Sequence, residues 1–155
     1  MTGRALAETA RRLLRSSGEG VLATTSLRRP GFPFASLAPY ALSPAGDPLL
    51  LLSGLAQHTR NLQADPRACL LVQEAGQGPS QDRARLAVLG RVAPVAAADL
   101  EDFRARYLAR HPEAREWAAL ADFALHLLSV EEAHLVAGFG RAGWLSRDDL
   151  STSAG

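Results

Sequence analysis

Apolar residues recur along this chain with two different periods, which separate predicted helices from predicted strands. At the N-terminus, apolar side chains three and four residues apart share one face, and Thr2 can cap a helix that runs to about Ser16. After the glycine-containing break at 17–20, residues 21–25 are typical of a strand. The chain is therefore predicted to open with a helix, within residues 1–17, that leads directly into a sheet.

Residues 32–42 alternate strictly between two faces, which predicts a second strand. Pro33 and Pro39 are an even number of residues apart, so the N–H groups that they lack fall along the same edge. That edge must be partly unpaired, as at a sheet margin or a barrel seam. A turn at 43–47 then leads to a return strand at 48–52, which completes a hairpin.

The second half of the chain continues mainly as strands joined by short connections. We first expect a short helix that ends at Asp65-Pro66, a strand at 68–72, a polar loop at 73–83 and a strand at 85–95 with a bulge or bend at Gly90. A helix from Asp99 to His111-Pro112 follows, with Leu100, Phe103 and Tyr107 on its inward side, and then a short helix through Trp117. The chain is predicted to end with a hairpin of 123–130 with 133–139 and a flexible tail over 146–155. The pattern predicts one domain over residues 1–155, mainly β (α+β), with an antiparallel six- to seven-stranded closed or split barrel and peripheral helices.

Composition removes several classes of function. All 17 basic side chains are arginine, so chemistry that needs a lysine Schiff base is excluded. The single Cys69, expected to be an inert core thiol, excludes an internal disulfide, and the four histidines lack the spacing of metal ligands. The net charge of +1 predicts neither a nucleic-acid nor a membrane partner. With no signal-peptide core and no apolar run of roughly 18 residues, a cytoplasmic protein is expected.

The clearest candidate for ligand binding is the stretch 49–67, where an apolar strand feeds a short helix carrying His58, Thr59, Arg60 and Asn61. A helix N-terminus lined with polar and basic groups is a natural place for a phosphate. The alternative is structural: His58 can be a half-buried histidine bonded to a carbonyl, Thr59 can bond back to its own helix, and Arg60 can be a solvated partner of Asp65. Both interpretations remain open at this point.

Four further residues are candidates in their own segments. Ser36 and Ser53 interrupt apolar strands, where each hydroxyl could meet a ligand or satisfy nearby backbone. Arg85 opens an apolar strand and needs an anionic partner or access to water. Trp144 follows a glycine-rich turn that lacks GxGxxG spacing, so it could stack on a flat ligand or anchor the tail. His126 and His134 are expected to face each other across the last hairpin.

The order GVLATTS, GFPFASLAPYAL, LLLLSGLAQHTRNLQADPR, RLAVLGRV, FRARYLARHP, DFALHLL and LVAGFGRAGWL resembles the pyridoxamine 5′-phosphate oxidase-like split barrels that bind flavin mononucleotide (FMN), and within them the HugZ-type haem-utilisation branch. The resemblance implies a homodimer with two FMN sites at the subunit interface. It places His58 where the family commonly has a phosphate-binding lysine, and Gln57 where related proteins often carry arginine.

The same resemblance assigns the remaining candidates. Arg85 matches the basic residue that opens a strand, Ser36 and Ser53 match positions facing the isoalloxazine, and residues 140–144, with Trp144, would come from the other subunit. It implies an FMN-dependent oxidoreductase of unknown substrate, with no catalytic residue assigned. The alternatives are a haem-binding or haem-utilisation protein that uses the same cleft, and a non-catalytic dimeric binding module.

Overall fold

The computed structural model describes residues 2–151, which form a curled antiparallel sheet with helices packed around it. The elements are α1 (Gly3–Ser16), β1 (Glu19–Thr25), β2 (Pro33–Pro39), β3 (Ala41–Leu42), β4 (Pro48–Ser53), α2 (Gln57–Ala64), β5 (Arg67–Gln73), β6 (Arg85–Pro94), α3 (Leu100–Arg110), α4 (Arg115–Ala118), β7 (Phe123–Val136), β8 (Ala142–Ser146) and α5 (Arg147–Leu150). The predicted antiparallel split barrel with peripheral helices is confirmed, although the sheet has eight strands rather than six or seven.

The strands follow the order β2-β1-β5-β6-β7-β4-β3, and β8 pairs with β7 beside this path. β2 lies at one end of that order and pairs with β1. This position explains how Pro33 and Pro39 are tolerated, because a strand at a sheet margin has one edge that needs no backbone donors. The predicted hairpin around residues 43–47 is present as β3 and β4.

The main core lies inside the curl of the sheet, and α1 covers it. Helix α1 begins at the predicted cap, where the Thr2 side chain accepts a hydrogen bond from the Ala5 N–H, and it buries the predicted apolar face. A second, smaller core lies between α3 and the other side of β4 and β7, around Tyr107, Leu49 and Leu125. Leu100 was expected to point inward but is 41% exposed, because it is the first residue of α3 and precedes the part of the helix that packs.

The predicted hairpin of 123–130 with 133–139 is wrong, because β7 is one continuous strand. In its pairing with β6, Leu89 faces Glu132 and Gly90 faces Val130, so Glu131 is the extra residue of a bulge. The two glutamates mark this bulge rather than a turn, and Glu131 forms an exposed ion pair with Arg91 at 2.9 Å.

The irregularity predicted at Gly90 is confirmed at the same place. A β-carbon on Gly90 would lie 2.1 Å from the Ser129 carbonyl oxygen, so β6 and β7 approach here more closely than any side chain allows. The absence of a side chain at this position therefore allows β7 to bend while it remains paired.

The predicted flexible tail from residue 146 is also wrong for the residues that the structure describes. Ser146 caps α5 and forms a reciprocal capping box with Asp149, while Leu150 is 5% exposed. The Arg147 guanidinium pairs with the buried carboxylate of Asp47 at 3.1 Å, which fixes α5 to the β3–β4 turn. Residues 152–155 of the predicted tail lie outside the described residues.

Within residues 2–151, none of the helices combines the length and apolar character that crossing a membrane requires.

Candidate functional site

Helix α2 carries most of the predicted site and lies between the end of β4 and the start of β5. Its N-terminal cap residue, Ala56, makes no side-chain cap, so the first N–H groups of the helix are not satisfied by a capping side chain. At the other end, Asp65 ends the helix as predicted, and the Arg67 guanidinium, rather than that of Arg60, pairs with its carboxylate at 2.7 Å.

Asn61 fixes this helix to the sheet. It is completely buried, its amide group donates to the Thr24 hydroxyl at 3.0 Å, and its carbonyl oxygen accepts from the Leu27 N–H at 3.0 Å. The Gln57 amide donates to the same oxygen at 2.9 Å. The polar groups of Asn61 are therefore used within the protein, where they position α2 on β1.

Two of the candidate residues, His58 and Ser36, lie side by side in the structure. The Ser36 hydroxyl on β2 lies 3.0 Å from Nδ1 of His58 on α2. A hydroxyl oxygen can accept a hydrogen bond from Nδ1–H, and in that arrangement Nε2 carries the lone pair. Among residues 2–151, Nε2 of His58 has no hydrogen-bond partner, so the ring is held at one nitrogen and open at the other.

The sequence analysis did not place His126 in this site, yet its ring is close enough to influence His58 electrostatically. His126 lies on β7 opposite Leu50 and is 8% exposed. Its Nδ1 lies 2.9 Å from the Ala124 carbonyl oxygen, which can only accept, so Nδ1 carries the proton and Nε2 the lone pair. No local signal in the sequence could reveal this pairing, because His58 and His126 meet only through the fold.

Both imidazoles are kept neutral by their surroundings. Burial lowers the pKa of His58, and the neighbouring His126 lowers it further. Burial also lowers the pKa of His126, with the hydrogen bond to Ala124 acting in the opposite direction. Since each value falls below the usual 6.5, both rings are neutral at pH 7, which suits them to bind a metal centre rather than to attract an anion.

Thr59 contributes a buried polar atom with no partner. The side chain is 2% exposed, and its hydroxyl oxygen makes no hydrogen bond within the described part of the chain. The expected bond back to its own helix is therefore not formed. An unpaired buried hydroxyl near an uncapped helix N-terminus is a feature that a ligand oxygen could satisfy.

The other three candidates lie outside this group. Ser53, at the end of β4, donates to the Asp122 carboxylate at 2.9 Å and accepts from the Leu55 N–H at 3.1 Å, so it fixes the turn before α2. Arg85 donates to the Gln81 carbonyl at 3.1 Å. Trp144 is 62% exposed, and its ring lies 4.8 Å from that of His134.

Arg85 and Trp144 share the outer face of the sheet. Across β6, β7 and β8, Arg85 is aligned with Val136 and Ala142. The next row on the same face aligns Ala87 with His134 and Trp144. The expected cross-strand pair of His126 and His134 is wrong, because both residues lie on β7. The bulge between them changes which face later residues occupy, so His134 lies on the outer face. His126 instead belongs to the α2 group, the name used below for the set Ser36, Gln57, His58, Thr59, Asn61 and His126.

The α2 group offers two imidazole nitrogens as candidate ligands, which are too few for a bare metal ion. Residues 2–151 contain no cluster of three or more His, Cys, Asp or Glu side chains that could hold a bare metal ion. A haem iron is different, because its macrocycle fills four coordination positions and the protein supplies only one or two ligands.

Cys69, which was expected to be a core thiol, lies on β5 outside the α2 group. Its side chain is partly exposed rather than in the core, and burial raises the pKa of its thiol.

Comparison with known proteins agrees with this fold. Residues 2–151 match the family model described as CREG, beta-barrel. The chain is 32% identical over 135 residues to the non-canonical heme oxygenase HOZ, chloroplastic, of Arabidopsis thaliana. The aligned region covers 87% of this chain and 41% of that protein. A heme binding protein from Mycobacterium smegmatis is 30% identical with a TM-score of 0.87, over 94% of this chain and 59% of its own.

A more distant structure, HutZ from Vibrio cholerae, has a TM-score of 0.72 at 24% identity, over 86% of this chain and 94% of its own, and supports the fold alone. The chain spans less than half of the Arabidopsis protein and about three fifths of the mycobacterial one. The family match covers all the elements that build the α2 group, and the predicted resemblance to the split barrels is confirmed. The chain belongs to the CREG β-barrel family of pyridoxamine 5′-phosphate oxidase-like split barrels.

Proposed function

We propose that this protein binds haem at the group formed by α2, β2 and β7, with His58 and His126 as the candidate iron ligands. The observation that carries the proposal is the pair of neighbouring neutral imidazoles, each fixed through Nδ1 and each with no hydrogen-bond partner at Nε2 among residues 2–151. Relatives at 32% and 30% identity are named as a heme oxygenase and a heme binding protein, which supports the same choice of cofactor.

The contacts behind the two rings are those expected around a metal-binding histidine. Such a histidine usually gives its second N–H to an oxygen acceptor, which fixes the ring and raises the basicity of the coordinating nitrogen. Ser36 and the Ala124 carbonyl occupy this position for His58 and His126. When bound, haem supplies the redox chemistry of its iron, and the residues of this chain would orient it and limit its contact with water.

FMN binding is the second candidate. It is favoured by the unpaired hydroxyl of Thr59 and the uncapped start of α2, both of which could meet phosphate oxygens. It is disfavoured at His58, which occupies the position where the resembling proteins commonly carry a phosphate-binding lysine. A ring with a lowered pKa provides no fixed positive charge at pH 7, so the phosphate would lose its main electrostatic partner.

We also propose that two copies of the chain pair through the outer face of the sheet. One row of aligned positions crosses six strands there and is almost entirely apolar: Leu37, Val21, Leu71, Ala87, His134 and Trp144. Three members of this row, Leu37, Leu71 and Trp144, are 69%, 44% and 62% exposed. A contiguous apolar surface of this kind is typical of a protein interface.

Titration of the purified protein with ferric haem, followed by absorbance, tests the main proposal. We expect saturable binding with a shifted Soret band, and a change in both affinity and band position in His58→Ala or His126→Ala. His134→Ala is the matched control, because this histidine lies on the outer face and should leave the spectrum unchanged. A spectrum that is insensitive to both site variants, or that changes only in His134→Ala, would contradict the proposed site.

The same preparation separates the second candidate from the first. If FMN is the cofactor, its fluorescence should be quenched on addition of the protein and Thr59→Val should weaken that binding. Quenching of FMN fluorescence by a wild-type protein that shows no haem binding would replace the first proposal by the second.

Sedimentation tests the proposed dimer. The Leu71→Arg variant should be a monomer where the wild type is a dimer, and the exposed Arg28→Glu variant is the control and should remain a dimer.

A further inference from the structure

A cavity of about 530 Å³ lies between the end of α1, the β3–β4 turn and the last turns of α3. None of the residues in the α2 group contributes to it. The volume is in the range of pockets that hold small organic molecules. The cavity therefore needs an explanation separate from the haem proposal.

The inner wall of the cavity is apolar and rigid. Leu14 comes from α1, Leu42 from β3 and Tyr40 from the segment before β3. Tyr40 is 1% exposed, and its hydroxyl donates to the Leu14 carbonyl oxygen at 2.8 Å, which fixes the ring against α1. Because Leu14 is also only 3% exposed, these two side chains form the closed floor of the cavity, and the apolar side chains that a ligand can touch are the half-buried Leu42 and the exposed Ala109.

Three arginines also line the cavity: Arg15 from α1, and Arg106 and Arg110 from α3. Within residues 2–151, none of the three has a carboxylate within the 4.0 Å of an ion pair. The Nε atom of Arg106 donates to the Leu42 carbonyl oxygen at 2.9 Å, so its position is fixed while its terminal N–H groups remain available. Three guanidinium groups at one cavity, with no paired acid among residues 2–151, favour an anionic ligand.

Arg110 faces the apolar wall rather than solvent alone. A β-carbon on Gly18 would lie 2.7 Å from Nη2 of Arg110, so the guanidinium rests against the backbone beside the cavity. Burial raises the pKa of the Tyr40 phenol, and the charge of Arg110 acts against that rise, which also places the guanidinium near the ring. Stabilisation of helix C-termini accounts for Arg15 and Arg110 but not for Arg106, which lies in the body of α3.

We propose that this cavity binds an amphiphilic organic acid, with its anionic head among the three guanidinium groups and its apolar body against Leu42 and Ala109, above the floor that Leu14 and Tyr40 form. Arginine recognises carboxylates with two parallel hydrogen bonds, which gives both affinity and orientation. The accessible apolar surface of Leu42 and Ala109 accounts for the apolar body, because an inorganic anion would leave that surface uncovered. The site does not depend on the proposed haem function.

The test uses 8-anilinonaphthalene-1-sulfonate, an aromatic anion whose fluorescence rises in apolar surroundings. We expect the wild-type protein to bind it and decanoate to displace it, while 1-decanol, which has the same chain without the charge, displaces it at least tenfold less well. Equal displacement by the acid and the alcohol would overturn the role of the arginines.

Variants locate the binding. The double variant Arg15→Gln/Arg110→Gln should weaken decanoate binding about tenfold or more, since two charge-assisted contacts are lost. Ala109→Trp, which places an indole at the exposed Ala109 position of the cavity lining, should abolish it. Arg28→Gln, on the exposed β1–β2 loop, is the matched control and should have no effect.

Melting curves and haem titration of the same variants keep the two sites distinct. We expect the cavity variants to fold and to bind haem as the wild type does. Decanoate binding that persists unchanged in Ala109→Trp would overturn the proposed location. Loss of haem binding in the arginine variant would overturn the independence of the cavity from the haem site.

Discussion

The α2 group and the cavity lined by Arg15, Arg106 and Arg110 are both candidate ligand sites, but they differ in the charge of the side chains that face a ligand. At α2, polar side chains bond to one another, and two imidazoles are held neutral with one nitrogen free on each. In the cavity, three guanidinium groups have no acidic partner among residues 2–151. The first arrangement suits coordination to a metal centre and the second suits an anion.

The difference shows why basic residues near a helix are a poor guide to the type of ligand. The sequence placed the phosphate site at α2, because a strand end, a helix start and polar residues coincide there. The structure instead brings three arginines, none with a carboxylate partner among residues 2–151, together at the cavity between α1 and α3. The proposals for the two sites can therefore be separated by variants that act on only one of them.

The largest effect is expected at the hydrogen bonds of Asn61. Asn61→Leu removes the partners of the Thr24 hydroxyl and the Leu27 N–H, so we expect it to lower the free energy of unfolding by about 3 kcal/mol and to weaken haem binding. Gln63→Leu, an exposed change on the same helix, is the control. Urea denaturation measures both, and a loss no greater than that of the control would show that α2 is held by other contacts.

The next effect should appear beside the cavity, at the ion pair between α5 and the β3–β4 turn. Asp47 accepts from Arg147 and from the Val130 N–H, so Asp47→Ala should lower the free energy of unfolding by about 2 kcal/mol. The exposed pair of Arg91 and Glu131 is the comparison, and Glu131→Gln should cost less than about 1 kcal/mol. Equal losses in denaturation experiments would contradict the distinction between the two pairs.

Thr59 gives a smaller and opposite effect. Replacing an unpaired buried hydroxyl by a methyl group removes a desolvation cost, so Thr59→Val should raise the free energy of unfolding by up to about 1 kcal/mol. Thr59→Ser, which keeps the hydroxyl, should not show this gain. Melting temperatures of the ligand-free variants measure the difference, and a destabilised Thr59→Val would mean that the hydroxyl has a partner after all.

The smallest effect concerns pH. Because the folded-state pKa values of His58 and His126 lie below 6.5, the unfolded chain binds more protons than the folded one as pH falls through that value. Stability should therefore be complete above pH 7 and decline from about pH 6.5 downward. The double variant His58→Asn/His126→Gln should flatten this dependence in urea titrations between pH 5 and 8. An unchanged slope would contradict the burial of neutral rings.

Much of the fold could be predicted because local features determine it. Asp65-Pro66 ends α2, Gly90 marks the bulge region, and Pro33 and Pro39 mark the sheet margin. The site was less accessible to sequence reasoning. Ser36 and His58 were both recognised as candidates, but the contribution of His126 depends on the pairing of β4 with β7. Glu131-Glu132 resembled a turn, and only the tertiary contact with β6 makes it a bulge.

The most direct test of the central claim is rescue of haem ligation by free imidazole. We expect His58→Ala/His126→Ala to bind ferric haem weakly with an altered Soret band, and added imidazole to restore the wild-type band because the vacated space admits the missing ligand. Recovery of the wild-type spectrum would support iron ligation by these two side chains. A double variant whose spectrum already equals that of the wild type before imidazole is added would contradict it.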